Sequence, residues 1–246
     1  MADIEMKAQG AVLSITLNRP ELGNRLSDEM VAALAKMIET AADGTKLIVL
    51  RGAGKDFCLG RDLAAYAAYG HDAPLPEALD LRQRNEVIFD CYNAFRRSQV
   101  PVLAVVQGGA LGFGCALAAV ADVTIAADDA SFQFPEMSHR ILPGMAMSAV
   151  VDRMPAKALM YMFYSTALVD AATALTFGLL SQVAPAQSLE SSASRFIETV
   201  IATPRAALVA VKEYARATHR MDVQSASDFA RNLHATINTS SEMRRT

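Results

Sequence analysis

The chain has 246 residues, 52% of them hydrophobic, and a net charge of −3. That apolar fraction supports a sizeable core and excludes a disordered chain, while the slight acidic balance leaves no electrostatic footprint for nucleic acid. No apolar run approaches the roughly 20 residues that span a bilayer, so no membrane partner is expected.

Three cysteines at wide spacing, Cys58, Cys91 and Cys115, form neither a disulfide framework nor a zinc pattern. Met1-Ala2-Asp3-Ile4-Glu5 lacks the basic and apolar regions of a signal peptide, and a cytoplasmic protein is expected. Residues 12–17 alternate apolar and polar, the pattern of a half-buried strand, and Asn18-Arg19-Pro20 turns the chain. Ser27 caps an amphipathic helix whose apolar positions are Met30, Val31, Leu34, Met37 and Ile38. Residues 46–51 form a short continuous apolar run, a buried strand, followed by a loop marked by Gly52, Gly54 and Gly60.

Residues 66–76 are small, aromatic and Gly/Pro-containing without period, and are read as a surface segment and a candidate lid over a site. A helix over 79–95 and a strand over 100–106 follow. The chain then breaks at a glycine cluster, 108–114, and resumes as a helix over 115–121. A strand over 123–126, an alternating piece at 131–134 and the pairs Pro135-Glu136 and Pro143-Gly144 come next. Beyond these, 145–153, 155–165, 170–177, 187–201, 204–219 and 222–239 all read as helices. Strands and helices alternate first and helices then run alone. The expected division is an α/β core over 1–152 and a helical C-terminal region over 153–246 that closes the pocket and carries subunit contacts.

A strand, a tight turn and a helix at 100–121 present unpaired backbone N–H groups, which suit an anion or a developing oxyanion. Gly109, Gly112 and Gly114 are spaced Gly-x-x-Gly-x-Gly, which is not the dinucleotide spacing. Taken singly, this stretch is a common pattern and the 57–63 loop reads more readily as an ordinary strand-to-helix turn. Glu136 and His139 form a lone Glu-x-x-His with no second pair, which argues against a metal site. Cys115 lies near a helix N-terminus, where a thiol pKa falls, yet no histidine is near it in sequence. A serine-hydrolase elbow is absent. A short-chain dehydrogenase would need Tyr-x-x-x-Lys, whereas Lys157 precedes Tyr161.

Together, the ordered motifs resemble the crotonase superfamily, that is, the enoyl-CoA hydratase/isomerase family. They are Asn18-Arg19-Pro20-Glu21 with Asn24, Phe-x-x-Gly-x-Asp-Leu at 57–63, and Pro-x-x-Ala-x-x-x-Gly-x-x-x-Gly-x-Gly at 101–114. Asp122-Val123, Phe-x-x-Pro-Glu ending at Glu136, and Pro143-Gly144 follow in order. The resemblance covers about residues 10–152 well and the helical remainder more loosely. It implies a spiral of repeated ββα turns with a helical C-terminal part, trimers or dimers of trimers, and an acyl-CoA thioester substrate. No cofactor is implied, because coenzyme A belongs to the substrate.

Carried over by position, the oxyanion hole is the backbone N–H of Arg61 and that of Phe113, each worth roughly 3–4 kcal/mol in the transition state. The substrate is expected to meet Arg25, Leu59, Gly60, Asp62, Leu63, Gly109, Gly112, Pro135 and Leu142, and the Arg61 side chain to meet the anionic CoA moiety. Family hydratases carry two glutamates; here Ala116 stands at the first position and Glu136 at the second. Hydration holds a water between two carboxyl groups, whereas one carboxylate suffices to move a proton from carbon to carbon. Enoyl-CoA double-bond isomerisation is therefore the favoured expectation, with Phe132, Phe134, Leu142 and Met145 expected to desolvate Glu136. The alternatives are a hydratase, in which Asp72 or another acid supplies the missing function, a decarboxylase or hydrolase using the same enolate, or an inactive CoA-ester-binding or assembly subunit.

Overall fold

The computed structural model describes residues 2–62 and 77–244. Nine strands build two sheets among these residues. The first sheet comprises β1 (Ile4–Gln9), β2 (Val12–Leu17), β3 (Leu47–Gly52), β4 (Val102–Val106), β6 (Val123–Ala127) and β9 (Gln182–Ala184), in the order β1-β2-β3-β4-β6-β9. Only β1 and β2 pair antiparallel; the other neighbours are parallel. The second sheet holds β5 (Gly109–Leu111), β7 (Ser131–Gln133) and β8 (Val169–Asp170), with β7 in the middle.

The sequence explains which strands lie where. In β2 buried and half-buried residues alternate, because one face packs on the core. β4 is buried at every position, as expected of a parallel strand covered on both faces. Helices flank the sheets. α1 (Asp28–Glu39) starts at Ser27, whose side chain accepts the Met30 N–H, and buries Met30, Val31, Leu34, Ala35 and Ile38. α2 (Ala78–Arg97) packs beside it through Ile88, Cys91, Tyr92, Ala94 and Phe95. α3 (Phe113–Val120) is buried along its whole length. The run β4, β5, α3 is one ββα turn of the expected spiral.

The C-terminal part contains α4 (Gly144–Val150), α5 (Ala156–Ser165), α6 (Ala171–Thr176), α7 (Leu189–Ala202), α8 (Arg205–Thr218) and α9 (Val223–Asn238). These match the expected helices to within a few residues, but helices do not run alone there. β8 and β9 lie among them, and β9 extends the first sheet beside β6, so that sheet crosses the expected division at 152. Strands of two or three residues carry no readable period. β5 was hidden for a related reason: it lies inside the glycine cluster that the sequence presents as a turn. β1 shows only Ile4 buried, so alternation could not reveal it.

Leu63, Asp72 and the lid expected over 66–76 lie outside the described residues. Among the described residues no helix is long and apolar enough to cross a membrane.

Candidate active site

The site is built where the 57–62 segment crosses the start of α3. Asn24 holds the first of these pieces in place. Fully buried and at φ 53°, it donates from Nδ2 to the carbonyls of Ala53 (2.8 Å) and Asp56 (2.7 Å), and its Oδ1 accepts the Arg19 N–H at 2.9 Å. Its amide thus satisfies three backbone groups of a loop that forms no ladder of its own. Asp56 continues the chain of support by accepting the Gly109 N–H at 2.8 Å. Cys58 then bridges to β5, donating to the Gly109 carbonyl and accepting the Leu111 N–H.

Two backbone N–H groups result from this crossing. Leu26 pairs with the 60–62 segment: its N–H reaches the Gly60 carbonyl at 3.1 Å and its carbonyl accepts the Asp62 N–H at 2.8 Å. Directions alternate along an extended segment, so the Arg61 N–H faces away from Leu26. On the other side, Gly112 adopts φ 51° and ψ −116°, a conformation suited to glycine, and its N–H is fixed to the Gln133 carbonyl at 2.8 Å. Phe113 follows as the first residue of α3, where helix geometry provides no intrahelical acceptor for its N–H.

Glu136 stands opposite. It begins a short 3-10 turn, Glu136–His139, directly after Pro135. A Cβ on Gly112 would lie 3.5 Å from its Oε1, so the carboxylate sits over the very start of α3. Its Oε2 is buried with no hydrogen-bond partner among the described residues. Burial raises the carboxyl pKa above its ordinary value of 4.5, partly offset by its own backbone N–H and by His139.

These groups share one cavity of about 240 Å³. Arg25, Leu59, Gly60, Arg61, Gly112, Phe113, Pro135, Glu136 and Leu142 all line it, and so nine of the sequence-derived positions converge there. Asp62 and Gly109 do not. Asp62 turns to Arg19 in an ion pair of 3.0 Å, and Gly109 packs beneath Leu59, whose Cδ2 leaves no room for a Cβ. The Arg61 guanidinium pairs with Asp28 in the first turn of α1, not with an open anion site. Arg25 donates from Nη1 to the Leu59 carbonyl at 2.7 Å.

Desolvation of Glu136 also has other sources than expected. Leu142 and Met145 line the cavity, but Phe132 and Phe134 are buried in the core, Phe134 stacked on Phe163 at 4.7 Å. Ile88, Tyr92 and Ile141 supply the remaining apolar wall. Tyr92 is the residue that sequence reasoning missed. It lies on the buried stripe of α2 with Ile88 and Phe95, where an aromatic at helical spacing reads as core. Cys115 likewise departs from expectation: complete burial pushes its thiol well above the ordinary value, which overrides the helix start.

The chain belongs to the enoyl-CoA hydratase/isomerase family, whose sequence profile matches residues 7–246. A probable enoyl-CoA hydratase of Mycobacterium leprae is 33% identical over 81% of this chain and 75% of its own length. A 2,3-dehydroadipyl-CoA hydratase of Escherichia coli is 29% identical over 92% of this chain and 86% of its own length. Among solved structures, an enoyl-CoA hydratase of Mycobacterium smegmatis superposes with a TM-score of 0.90 at 26% identity, over 99% of this chain and 93% of that one. The architecture is therefore the crotonase fold. A putative enoyl-CoA hydratase of Thermobifida fusca, solved in complex with CoA, has a TM-score of 0.87 at 25% identity, over 96% and 92% of the two chains.

Proposed function

We propose that this protein isomerises the double bond of an enoyl-CoA thioester by a proton transfer through Glu136. The observation that carries the reading is the Glu136 carboxylate, buried at Oε2 without a hydrogen-bond partner among the described residues, in an apolar cavity at the start of α3. The relatives' names and the CoA-bound Thermobifida structure support an acyl-CoA substrate.

In this reading the N–H groups of Arg61 and Phe113 donate to the thioester carbonyl oxygen and stabilise the enolate. Glu136 removes a proton from C2 of a 3-enoyl-CoA. The electron pair delocalises over the carbonyl and C4, and the protonated carboxyl returns the proton to C4. The product is the conjugated 2-enoyl-CoA, and the carboxylate is regenerated. The raised Glu136 pKa suits both halves, because a base near the operating pH is also a competent acid. Ala116 is fully buried in α3, and no second carboxylate lines the cavity among the described residues.

Hydration is the second reading, favoured by the names of the relatives. Supplying 3-enoyl-CoA and 2-enoyl-CoA separately distinguishes the two. The expected result is rapid conjugation of the first and slow hydration of the second, with Glu136→Gln lowering conjugation by about 10²–10⁴-fold. Robust hydration of crotonyl-CoA that survives Glu136→Gln would overturn both the isomerase assignment and the role of Glu136.

A further inference from the structure

Tyr92 is nearly sealed, 2% exposed, and its ring is held by α2 on one side and by the Phe113 ring 5.6 Å away on the other. The side chain lines the 240 Å³ cavity and also a neighbouring cavity of about 590 Å³, so it forms the partition between them. A buried tyrosine ordinarily gives its hydroxyl a protein partner. No hydrogen bond joins the Tyr92 hydroxyl to a described residue, and its oxygen is not among the fully enclosed polar atoms left unsatisfied, so it opens onto a cavity. Glu136 and Arg61, both on the smaller cavity, act electrostatically on the phenol. Tyr92 thus shares the smaller cavity with Glu136.

We propose that the Tyr92 hydroxyl is a specificity-determining hydrogen-bond donor that selects acyl-CoA thioesters carrying a hydroxyl or oxo oxygen on the acyl chain. The proposal rests on the acyl-CoA reading of the site above. Coenzyme A is far too large for 240 Å³, so the group that enters the cavity beside Tyr92 is the acyl chain. A phenylalanine would fill the same wall, so the hydroxyl adds a donor that a ligand oxygen in the cavity can take up in place of water. The phenol remains a donor throughout turnover, because burial and the nearby Glu136 hold its proton well beyond the ordinary range. A neutral oxygen fits better than a carboxylate, which would face the like charge of Glu136.

The test uses the full chain, with Tyr92→Phe and Glu136→Gln as variants. Calorimetry compares binding of saturated, unreactive acyl-CoA esters of equal length, plain or bearing an oxo group at C3, C4 or C5. Kinetics compares the corresponding plain and hydroxyl-bearing enoyl-CoA substrates. The expected result is an oxygen preference of roughly 10–100-fold in the unaltered protein at one position of the chain, with Tyr92→Phe erasing the ratio between oxygenated and plain esters. No preference in the unaltered protein overturns the proposal, as does a Tyr92→Phe variant that weakens plain and oxygenated esters alike. If Tyr92→Phe is silent and Tyr92→Ala lengthens the accepted chain, Tyr92 is a chain-length partition and the donor role is lost. Turnover surviving Glu136→Gln would remove the catalytic reading while leaving the binding preference measurable by itself.

Discussion

Glu136 meets two opposing demands, since the burial that makes it a useful base also makes its charged form costly. Its folded-state pKa lies above 4.5, the ordinary value. Protonation is then easier in the folded than in the unfolded chain. Stability associated with this group is full below the unfolded value and falls as pH rises through the folded one. Replacing the carboxylate by an amide removes that loss. Glu136→Gln is accordingly expected to raise the Tm modestly near neutral pH, with no gain below pH 4.5. The kcat/KM of the unaltered enzyme should rise with pH along a limb centred above 4.5. Thermal melts and rate profiles from pH 4 to 8 check both, and a variant less stable than the parent at pH 7 contradicts the argument. At this scale the sequence was informative about Glu136 because the carboxyl follows an ordered motif. It was silent about Tyr92, because helical spacing shows which face is buried but not which buried residue borders a cavity.

At the scale of elements, the site depends on how closely α3 approaches the 57–60 segment. Gly114 sits at that crossing, and a Cβ there would overlap the carbonyl oxygen and carbon of Cys58. That carbonyl already accepts the Leu111 N–H at 2.9 Å, so neither the loop nor β5 can retreat without breaking their bridge. Gly114→Ala must therefore separate the two backbone donors. The expected cost is about 1–3 kcal/mol of stability, with a loss of kcat/KM near 10²-fold because both donors are displaced together. A Gly114→Ala protein with parental Tm and kcat/KM would show that the close approach is dispensable. The glycine spacing made the turn and the helix start legible, while β5 within the turn was not. Its three residues exist as a strand only because the second sheet supplies β7. The same holds for β8 and β9, whose pairing partners lie far away in sequence.

Across the whole molecule, the helical C-terminal part is tied to the sheet by a charged side chain that apolar periodicity could not have revealed. Lys212, on α8, is largely buried, and its Nζ donates to the Phe95 carbonyl (2.8 Å), the Val100 carbonyl (3.1 Å) and Asp122 Oδ2 (2.6 Å). One ammonium thus joins α8 to the end of α2, the approach to β4 and the approach to β6. Burial lowers its pKa and Asp122 opposes that shift. Asp122 is committed as well, since its Oδ2 accepts the Val102 N–H at 2.8 Å. Removing the cation takes a donor from the Phe95 and Val100 carbonyls and leaves Asp122 with the Val102 N–H and the more distant Arg153, 3.9 Å away. Lys212→Met is expected to cost roughly 3–5 kcal/mol, although it keeps the apolar bulk of the lysine stem. None of these groups lines the 240 Å³ cavity, so KM and kcat per folded molecule should change little. Melting curves with rates measured well below the transition separate the two effects. A variant that keeps its Tm but loses activity would place Lys212 in the chemistry and not in the docking of α8.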